Sequence, residues 1–324
     1  MTHAIRFHKT GGPEVLVWEE VAVGKPGPGE ARIRHTAVGL NFVDIYNRSG
    51  LYPAQLPSGL GGEAAGVVEE VGSGVTDLKP GDRICYGSAP IGAYAEARLI
   101  PADRLLKLPD GIDDKTAAAM MLKGLTTQYL IRQVYRVKAG DTILLHAAAG
   151  GVGLILSQWA KHLGATVIGT VGSDEKADLA RAHGCDHPIV YTRQDFVAEV
   201  ERITDGAKVA VVYDGVGRDT FMKSLDCLAR RGMMASFGNS SGPVDPFDAL
   251  LLARKGSLFL TRPTLYDYTL DPADLQLSAH ALFDVVESGK VKIEIGQRFP
   301  LKDAAEAHRA LEGRRTSGST VLTT

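Results

Sequence analysis

Apolar runs alternate with glycine-rich turns and amphipathic segments from residue 141 onward. The run at 143–145 predicts a strand that is buried on both faces, and the run that ends at residue 170 predicts a second strand. Between them, apolar residues recur at the spacing of a helix that buries one face: Val152, Ile155, Leu156, Trp159, Ala160 and Leu163. The pattern therefore predicts a strand–turn–helix–strand unit.

The same alternation continues towards the C-terminus. Further strands are predicted at 187–191, 209–214, 233–237 and 257–260, with helical segments at 196–203 and 219–229. Strands that alternate with helices in this way form a parallel sheet with helices on both faces. This part of the chain is therefore predicted to be α/β, with a doubly wound parallel sheet.

The pattern before this region differs, because residues 4–122 are rich in strands and broken by Gly and Pro. Strands are predicted at 16–21, 31–38, 65–71, 83–85 and 94–100, with turns at 24–29 and 78–82 and a short helical turn at 41–48. After 262–263 we expect the chain to return to this first domain, with helices at 282–286 and 304–311 and a strand at 321–322. The predicted domains are 1–124 with 262–324, and 125–261.

Composition and charge narrow the class of protein. Of the 324 residues, 44% are hydrophobic and 23% charged, which is ordinary for a globular protein with about two domains. The net charge of −2 gives the surface no general attraction to nucleic acid or anionic membrane. No apolar run approaches the ~20 residues of a membrane span, and residues 1–6 lack the apolar core of a signal peptide. We therefore expect a cytoplasmic protein.

The spacing of the cysteines indicates neither a disulfide framework nor a metal-binding Cys-x-x-Cys motif. Cys85, Cys185 and Cys227 lie far apart and are odd in number, and the nine histidines are scattered. We interpret the thiols as chemically inert.

The turn after the first strand of the α/β region carries a dinucleotide fingerprint. Ala148, Gly150 and Gly153 have its spacing, with alanine in place of the first glycine, and Gly151 and Val152 complete the turn. Glycines let the backbone approach a pyrophosphate, and the helix N-terminus offers free N–H groups and a partial positive charge. These five residues are therefore predicted to bind a cofactor.

The end of the second strand predicts which dinucleotide binds. NAD sites usually have a carboxylate about 20 residues past the glycines, whereas residues 169–170 are Gly and Thr. Ser173 and Lys176 follow, and a hydroxyl and an ammonium suit a 2′-phosphate. The sequence therefore favours NADPH. Asp174 and Glu175 have an alternative interpretation as acids in the first turn of a helix, with Ser173 as its N-cap.

Several motifs in order along the chain resemble one protein family. They are Asn-Phe-x-Asp at 41–44, Gly-Gly-Glu-Ala-Ala-Gly at 61–66, Lys-Gly-Leu-Thr-Thr at 123–127 and Ala-Ala-Gly-Gly-Val-Gly at 148–153. The whole chain resembles the medium-chain dehydrogenase/reductase superfamily, and within it the zinc-free NADPH:quinone oxidoreductases related to ζ-crystallin. The resemblance implies a GroES-like β-rich catalytic domain, a Rossmann domain, and a homodimer joined through the nucleotide-binding domains. The predicted edge strand at 258–260 agrees with that mode of assembly.

The resemblance also implies site residues for NADPH. Contacts are implied at Asn41, Lys176, Tyr191 and Arg314, with Ser173 nearby; we add Thr127, Phe237 and Gly238. Alternatives stay open at three of them. Tyr191 would otherwise be a tyrosine at the edge of the core, and Arg314 a solvated charge that Arg315 could replace. Gly238 could admit the nicotinamide ribose or form a structural turn.

Zinc is not expected. The zinc alcohol dehydrogenases of the superfamily have a cysteine where this chain has Asn41 and a histidine where it has Gly62, and they carry a four-cysteine lobe absent from 86–109. Glu63 alone cannot hold a zinc ion, which needs three or four ligands. We therefore predict no metal.

The predicted substrate site is built around 41–52. Asn41, Asp44 and Tyr46 lie close enough in sequence to converge on one cleft. Hydride transfer to a quinone leaves an oxyanion that needs a hydrogen-bond donor, for which Tyr46, Tyr52 and Asn41 are candidates, while Asp44 is expected to orient its neighbours. Tyr52 could instead lie in a surface loop. Two other functions stay open: NADPH-dependent reduction of an activated C=C bond, and NADPH binding without catalysis.

Overall fold

A computed structural model describes residues 2–88 and 90–324. Its strands are β1 (Thr2–Phe7), β2 (Val17–Val21), β3 (Glu30–Leu40), β4 (Ser58–Gly59), β5 (Ala64–Val71), β6 (Arg83–Tyr86), β7 (Ala97–Pro101), β8 (Leu106–Lys107), β9 (Thr142–Leu145), β10 (Thr166–Val171), β11 (His187–Val190), β12 (Val209–Asp214), β13 (Leu228–Ser236), β14 (Phe259–Thr261), β15 (Ile295–Pro300) and β16 (Ser319–Thr323). Its helices are α1 (Phe42–Ser49), α2 (Asp114–Tyr129), α3 (Gly151–His162), α4 (Asp174–Ala182), α5 (Phe196–Ile203), α6 (Phe221–Ser224), α7 (Leu250–Arg254), α8 (Leu265–Tyr268), α9 (Pro272–Glu287) and α10 (Ala304–Glu312).

The described chain divides into two compact units. The first runs to Leu125 and includes Tyr268–Glu287 and Ile293–Thr324; the second comprises Thr126–Asp267 and Ser288–Lys292. The domain boundaries expected from the sequence stay a prediction. Among the described residues, no helix is both long and apolar enough to cross a membrane.

The second unit contains the predicted doubly wound sheet. Its strands lie in the order β11-β10-β9-β12-β13-β14, and every neighbouring pair is parallel. This is the Rossmann order, in which the first and fourth strands in sequence are adjacent at the switch point. The α/β fold class is therefore confirmed.

The fifth strand of this sheet differs from its prediction. β13 begins at Leu228, inside the segment predicted as helix, because α6 ends at Ser224 and only a short 3₁₀ turn follows. Arg230, Arg231 and Gly232 interrupt the apolar pattern of the strand, and its register with β12 shifts there. Arg231 has a φ of 63°, as expected for an irregular position, so the apolar pattern marks only the later part of the strand.

The first unit contains two sheets. The larger has the order β15-β16-β3-β5-β6-β8, with β7 also paired to β3, and the smaller has the order β2-β1-β4. Most of these pairs are antiparallel, while β15 and β16 are parallel. One core lies inside this unit and includes Phe7, Ile33, Val38, Leu60, Val68, Ile84 and Tyr94.

Several elements of the first unit were not predicted, among them the strands β1, β4, β8 and β15 and the helix α2. The helix α2 starts within the region expected to be strand-rich, because residues 117–121 are apolar without a helical period and all are buried. Gly124 in this helix lets α9 approach, since an added Cβ would lie 2.5 Å from Leu282. The strand β15 was missed because its sequence carries Gly, Gln and Arg between apolar residues and its side chains are only half-buried or exposed.

Candidate functional site

The glycine-rich turn joins β9 to α3 as the fingerprint predicts. Gly150 is the N-cap of α3, and its N–H donates to the carbonyl oxygen of Ala147 over 2.9 Å. An added Cβ on Gly153 would lie against the carbonyl oxygen of Ala147 and 2.7 Å from the carbonyl carbon of Ala148. The turn therefore needs glycine at 153, and it leaves the first N–H groups of α3 available to an anion.

Ala148 fits the first fingerprint position because a glycine faces it on the next strand. Ala148 is fully buried, and an added Cβ on Gly169 would lie 2.5 Å from the Cβ of Ala148 and 2.7 Å from the Sγ of Cys185. Glycine at 169 is therefore required by packing.

The second strand of the α/β region is longer than predicted. The apolar run predicts its end at residues 169–170, but β10 continues to Val171. Gly169 is fixed by packing, and Thr170 is buried and bonded to His146, so both positions have structural explanations. The residues that follow the strand begin with Gly172 and Ser173.

Polar side chains gather just after β10 and β11. Ser173 is the N-cap of α4, and its Oγ accepts the N–H of Lys176 over 3.3 Å, which confirms the N-cap interpretation. Tyr191 is 42% exposed, and its hydroxyl lies 3.0 Å from where a Cβ on Gly172 would be. Gly172, Ser173, Lys176 and Tyr191 thus belong to one small region of the second unit.

The acid at the start of α4 is neutralised by an arginine that sequence reasoning missed. The two terminal guanidinium nitrogens of Arg193 donate to the carboxylate oxygens of Asp174, over 2.7 and 2.5 Å. These hydrogen bonds lower the pKa of Asp174. The positions are 19 apart in sequence, and only the pairing of β10 with β11 brings them together. Asp174 therefore presents little unpaired negative charge to a phosphate.

A buried polar network lies at the carboxyl ends of the central strands. His146 contacts Thr170 Oγ1 through Nδ1 over 2.9 Å and Ser224 Oγ through Nε2 over 2.8 Å. Ser224 Oγ also lies 2.8 Å from the carbonyl oxygen of Thr220 and 3.4 Å from Asp214 Oδ2, two further acceptors for its hydrogen. Burial lowers the pKa of His146, which keeps the ring neutral. The network ties together β9, β10 and α6 beside the glycine-rich turn.

The glycine at the end of the fifth strand has a packing explanation. An added Cβ on Gly238 would lie against the carbonyl oxygen of Gly215 and 2.8 Å from its Cα. Gly215 in turn makes room for the ring of Phe237, which would lie 2.9 Å from a Cβ there. The structural-turn alternative is sufficient for Gly238, and its contact with a ribose stays a prediction.

In the first unit, the buried carboxylate of Glu63 accepts hydrogen bonds from three donors. Glu63 Oε2 accepts from Asn41 Nδ2 and from Lys123 Nζ, each over 2.8 Å, and Oε1 accepts the N–H of Leu122 over 2.8 Å. Gly39 makes space for this carboxylate, because an added Cβ there would collide with it. The sequence identified Asn41 but not Lys123 as a site residue, and their partner Glu63 lies 22 and 60 positions away.

Asp44 is a second buried carboxylate, next to Asn41. The backbone N–H of Asn41 donates to Asp44 Oδ2 over 2.8 Å, and the hydroxyl of Tyr94 donates to the same oxygen over 3.0 Å. Asp44 is fully buried, and burial raises its pKa to about 7. Asp44 thus caps α1 from inside the protein, which agrees with the orienting role expected for it.

The network continues from Asp44 through the first unit. The hydroxyl of Tyr94 also contacts His308 Nε2 over 3.2 Å, and Arg48 NH1 lies 3.0 Å from His308 Nδ1. The guanidinium of Arg48 then pairs with Glu312 over 2.5 Å. This chain of contacts fixes α1 against α10.

The two predicted phenols are adjacent. The rings of Tyr46 and Tyr52 meet edge to face with centroids 5.2 Å apart, and the N–H of Tyr52 donates to the carbonyl oxygen of Tyr46 over 3.1 Å. Tyr46 is buried and Tyr52 is half-buried, so Tyr52 is not a freely exposed loop residue. Of the other predicted contacts, Thr127 is buried on α2, whereas Arg314 is exposed with a φ of 57°.

Within residues 2–88 and 90–324, no group of three or more His, Cys, Asp or Glu side chains is placed to hold a metal ion. The three cysteines are buried, and burial raises the pKa of each thiol.

Comparison with known proteins gives matches over the whole chain. Residues 27–110 match the alcohol dehydrogenase GroES-like domain, and residues 151–270 match the zinc-binding dehydrogenase model. A quinone oxidoreductase of Pseudomonas aeruginosa is 55% identical, and a 2-haloacrylate reductase of Burkholderia is 50% identical, with 99% of both chains covered in each case. The crystal structure of Escherichia coli quinone oxidoreductase complexed with NADPH superposes with a TM-score of 0.98 at 50% identity, covering 99% of this chain and 100% of that one.

Proposed function

The chain belongs to the quinone oxidoreductases of the medium-chain dehydrogenase/reductase superfamily, and on this basis we propose that it reduces quinones with NADPH without a metal. The observation that carries the proposal is the region after β10. Ser173 and Lys176 offer a hydroxyl and an ammonium, and Arg193 neutralises the nearby carboxylate of Asp174. A 2′-phosphate is compatible with that charge pattern, and no carboxylate stands at the end of β10 itself, where NAD sites usually have one.

The residues of the second unit fit a dinucleotide. Gly153 keeps the turn open, and the first turn of α3 directs backbone N–H groups towards a pyrophosphate. Ser173, Lys176 and Tyr191 would hold the adenosine end, with Thr127, Phe237 and Gly238 as the further contacts predicted from the sequence. Arg314, which lies in the first unit, stays a separate prediction. When bound, NADPH supplies a hydride from its nicotinamide ring.

The acceptor is assigned to the quinones, with activated alkenes as the second candidate. The 2-haloacrylate reductase at 50% identity favours that second candidate, because it is as similar as several quinone oxidoreductases. The test is a panel of quinones, alkenals and haloacrylates assayed with NADPH and with NADH. Turnover of alkenes alone, or NADPH binding without turnover of any acceptor, would overturn the quinone assignment.

Tyr46 and Tyr52 are proposed to line the acceptor site. If their hydroxyls donate to the quinone, changing either to phenylalanine should lower kcat and kcat/KM together by about tenfold, near 1.4 kcal/mol. The dissociation constant for NADPH should stay unchanged. The exposed Tyr266 provides the matched control, Tyr266→Phe, which should leave the kinetics unaltered. Unchanged kinetics in both single variants and in the double variant would mean that the phenols line the site but donate no hydrogen bond to the acceptor.

We propose that the activity needs no metal, because the amide of Asn41 and the ammonium of Lys123 already bind the carboxylate that a metal ion would need as a ligand. We expect full activity after exhaustive chelation and no stoichiometric zinc in the purified protein. Elemental analysis that finds about one zinc per chain, lost together with activity, would contradict this.

A homodimer is proposed through the edge of the parallel sheet. β14 is the last strand of that sheet, and Phe259 on it is 58% exposed. An exposed apolar edge strand can pair with another chain. We expect a dimer by light scattering at micromolar concentration and a weaker dimer for Phe259→Lys. Met222→Lys is the comparison, since it removes another exposed apolar side chain of this unit away from β14. A monomeric wild-type protein would refute the proposal.

A further inference from the structure

Glu63 and Lys123 form a deeply buried ion pair. The carboxylate is fully buried, and the lysine side chain is 7% exposed. Glu63 has its two oxygens occupied by Leu122, Asn41 and Lys123. The ammonium is therefore held in one place by a carboxylate that is itself held in place.

Stability alone is a weak explanation for this pair. Removing two charges from water costs several kcal/mol per ion, and a well-packed apolar pair of similar volume is often as stable or more stable. A buried ion pair close to predicted binding residues is therefore a candidate for a functional role.

The ammonium of Lys123 lies beside the amide of Asn41, a predicted site residue. Lys123 Nζ and Asn41 Nδ2 share one oxygen of Glu63, so the two donors are neighbours. The carboxylates of Glu63 and Asp44 are fully buried, whereas Asn41, Lys123 and Tyr46 each keep 6–7% of their surface exposed. The two carboxylates are thus inaccessible, whereas the residues that carry the amide, the ammonium and the phenol each keep a small accessible surface.

We propose that Lys123 is the cationic group that stabilises and protonates the oxygen of the reduced acceptor. This inference rests on the proposed function, since it needs a hydride acceptor. The acceptor gains the hydride with its electron pair, and one quinone oxygen becomes an oxyanion. An N–H bond of Lys123 then breaks as an O–H bond forms on that oxygen, and solvent water returns a proton to the amine.

The charge distinguishes Lys123 from the phenols. Tyr46 and Tyr52 are neutral donors that can orient an acceptor, whereas the ammonium provides a full positive charge where negative charge develops. Donors fixed in advance at such a position are worth about 100-fold or more in rate. Glu63 acts as a positioning residue for the ammonium.

The test measures hydride transfer in a single turnover at saturating NADPH, together with the dissociation constant for NADPH. Lys123→Met should slow the transfer to a quinone by about 100-fold, with NADPH affinity within about threefold of wild type. In Lys123→Ala, added methylamine or ethylamine should restore part of the rate, which a purely structural role would not allow. Lys255→Met is the control, because Lys255 pairs with Asp226 in the second unit and should not affect the step.

A second variant covers the case in which Lys123→Met does not fold. Combined with Glu63→Gln it removes both charges of the pair, so we expect the fold to be retained and the same loss of rate. An unchanged rate in either variant, or a loss that no amine restores, would overturn the inference. Failure of the wild-type protein to reduce any quinone would instead overturn the proposed function.

Discussion

Replacing Gly153 by valine is expected to weaken NADPH binding by at least about 100-fold, which corresponds to about 2.8 kcal/mol. The added side chain would meet the backbone of Ala147 and Ala148, which cannot rotate away as a flexible side chain could. Overpacking alone costs about 1–3 kcal/mol, and here the strain falls on the turn that must lie against the pyrophosphate. The loss should therefore appear in cofactor affinity before it appears in the fold.

Fluorescence titration with NADPH measures the affinity, and thermal unfolding separates a local change from loss of the fold. Gly150→Ala is the matched comparison, because a Cβ there approaches only the carbonyl oxygen of Ala147, at 3.2 Å. It should lose much less affinity than Gly153→Val. Wild-type affinity in Gly153→Val would show that the turn does not bind the cofactor.

NADPH is expected to be preferred over NADH by at least tenfold in kcat/KM, roughly 1.4 kcal/mol. Lys176→Ala should reduce that preference, mainly through KM for NADPH, because an ammonium that binds a 2′-phosphate has no partner in NADH. Ser173 would keep its hydroxyl contact, so a residual preference should remain.

Arg181→Ala is the matched control for Lys176. Arg181 lies in the last turn of the same helix and pairs with Asp178, so its removal changes the net charge equally without touching the start of α4. The control should retain the full NADPH preference. Equal use of NADPH and NADH by the unmutated enzyme would contradict the assignment.

The parallel sheet could be predicted because its information is local. Each strand from β9 to β14 contains an apolar run, and the glycine-rich turn follows β9 directly. The packing that makes the turn work was not predictable. The requirement for glycine at 169 comes from Ala148 and Cys185, which only the fold brings to that strand.

Two of the segments that were missed, α2 and the start of β13, lack a periodic pattern. The apolar residues of α2 surround the helix, so neither a helical nor a strand period stands out. The start of β13 carries two arginines at an irregular position, and a charged pair of that kind is typical of a turn or an exposed helix. Local pattern therefore located the later part of this strand and not its beginning.

The candidate site was predicted in part, since sequence motifs identify residues but not their partners. The motif at 41–44 located Asn41 and Asp44, and the helix α1 has the predicted position. Glu63 was considered only as a zinc ligand and Lys123 only as part of another motif, and their contact spans 60 positions. The same is true of Arg193, whose contact with Asp174 depends on strand pairing. Long-range charge pairs of this kind need the fold.

The central claim, NADPH-dependent reduction of quinones, is tested most directly by competition between acceptors. One preparation of the protein with saturating NADPH is given a quinone and a 2-haloacrylate together, and both reduced products are quantified over time. The account predicts that kcat/KM for the quinone exceeds that for the haloacrylate by at least about tenfold, or 1.4 kcal/mol. Faster reduction of the haloacrylate, or consumption of neither acceptor while NADPH stays bound, would contradict it.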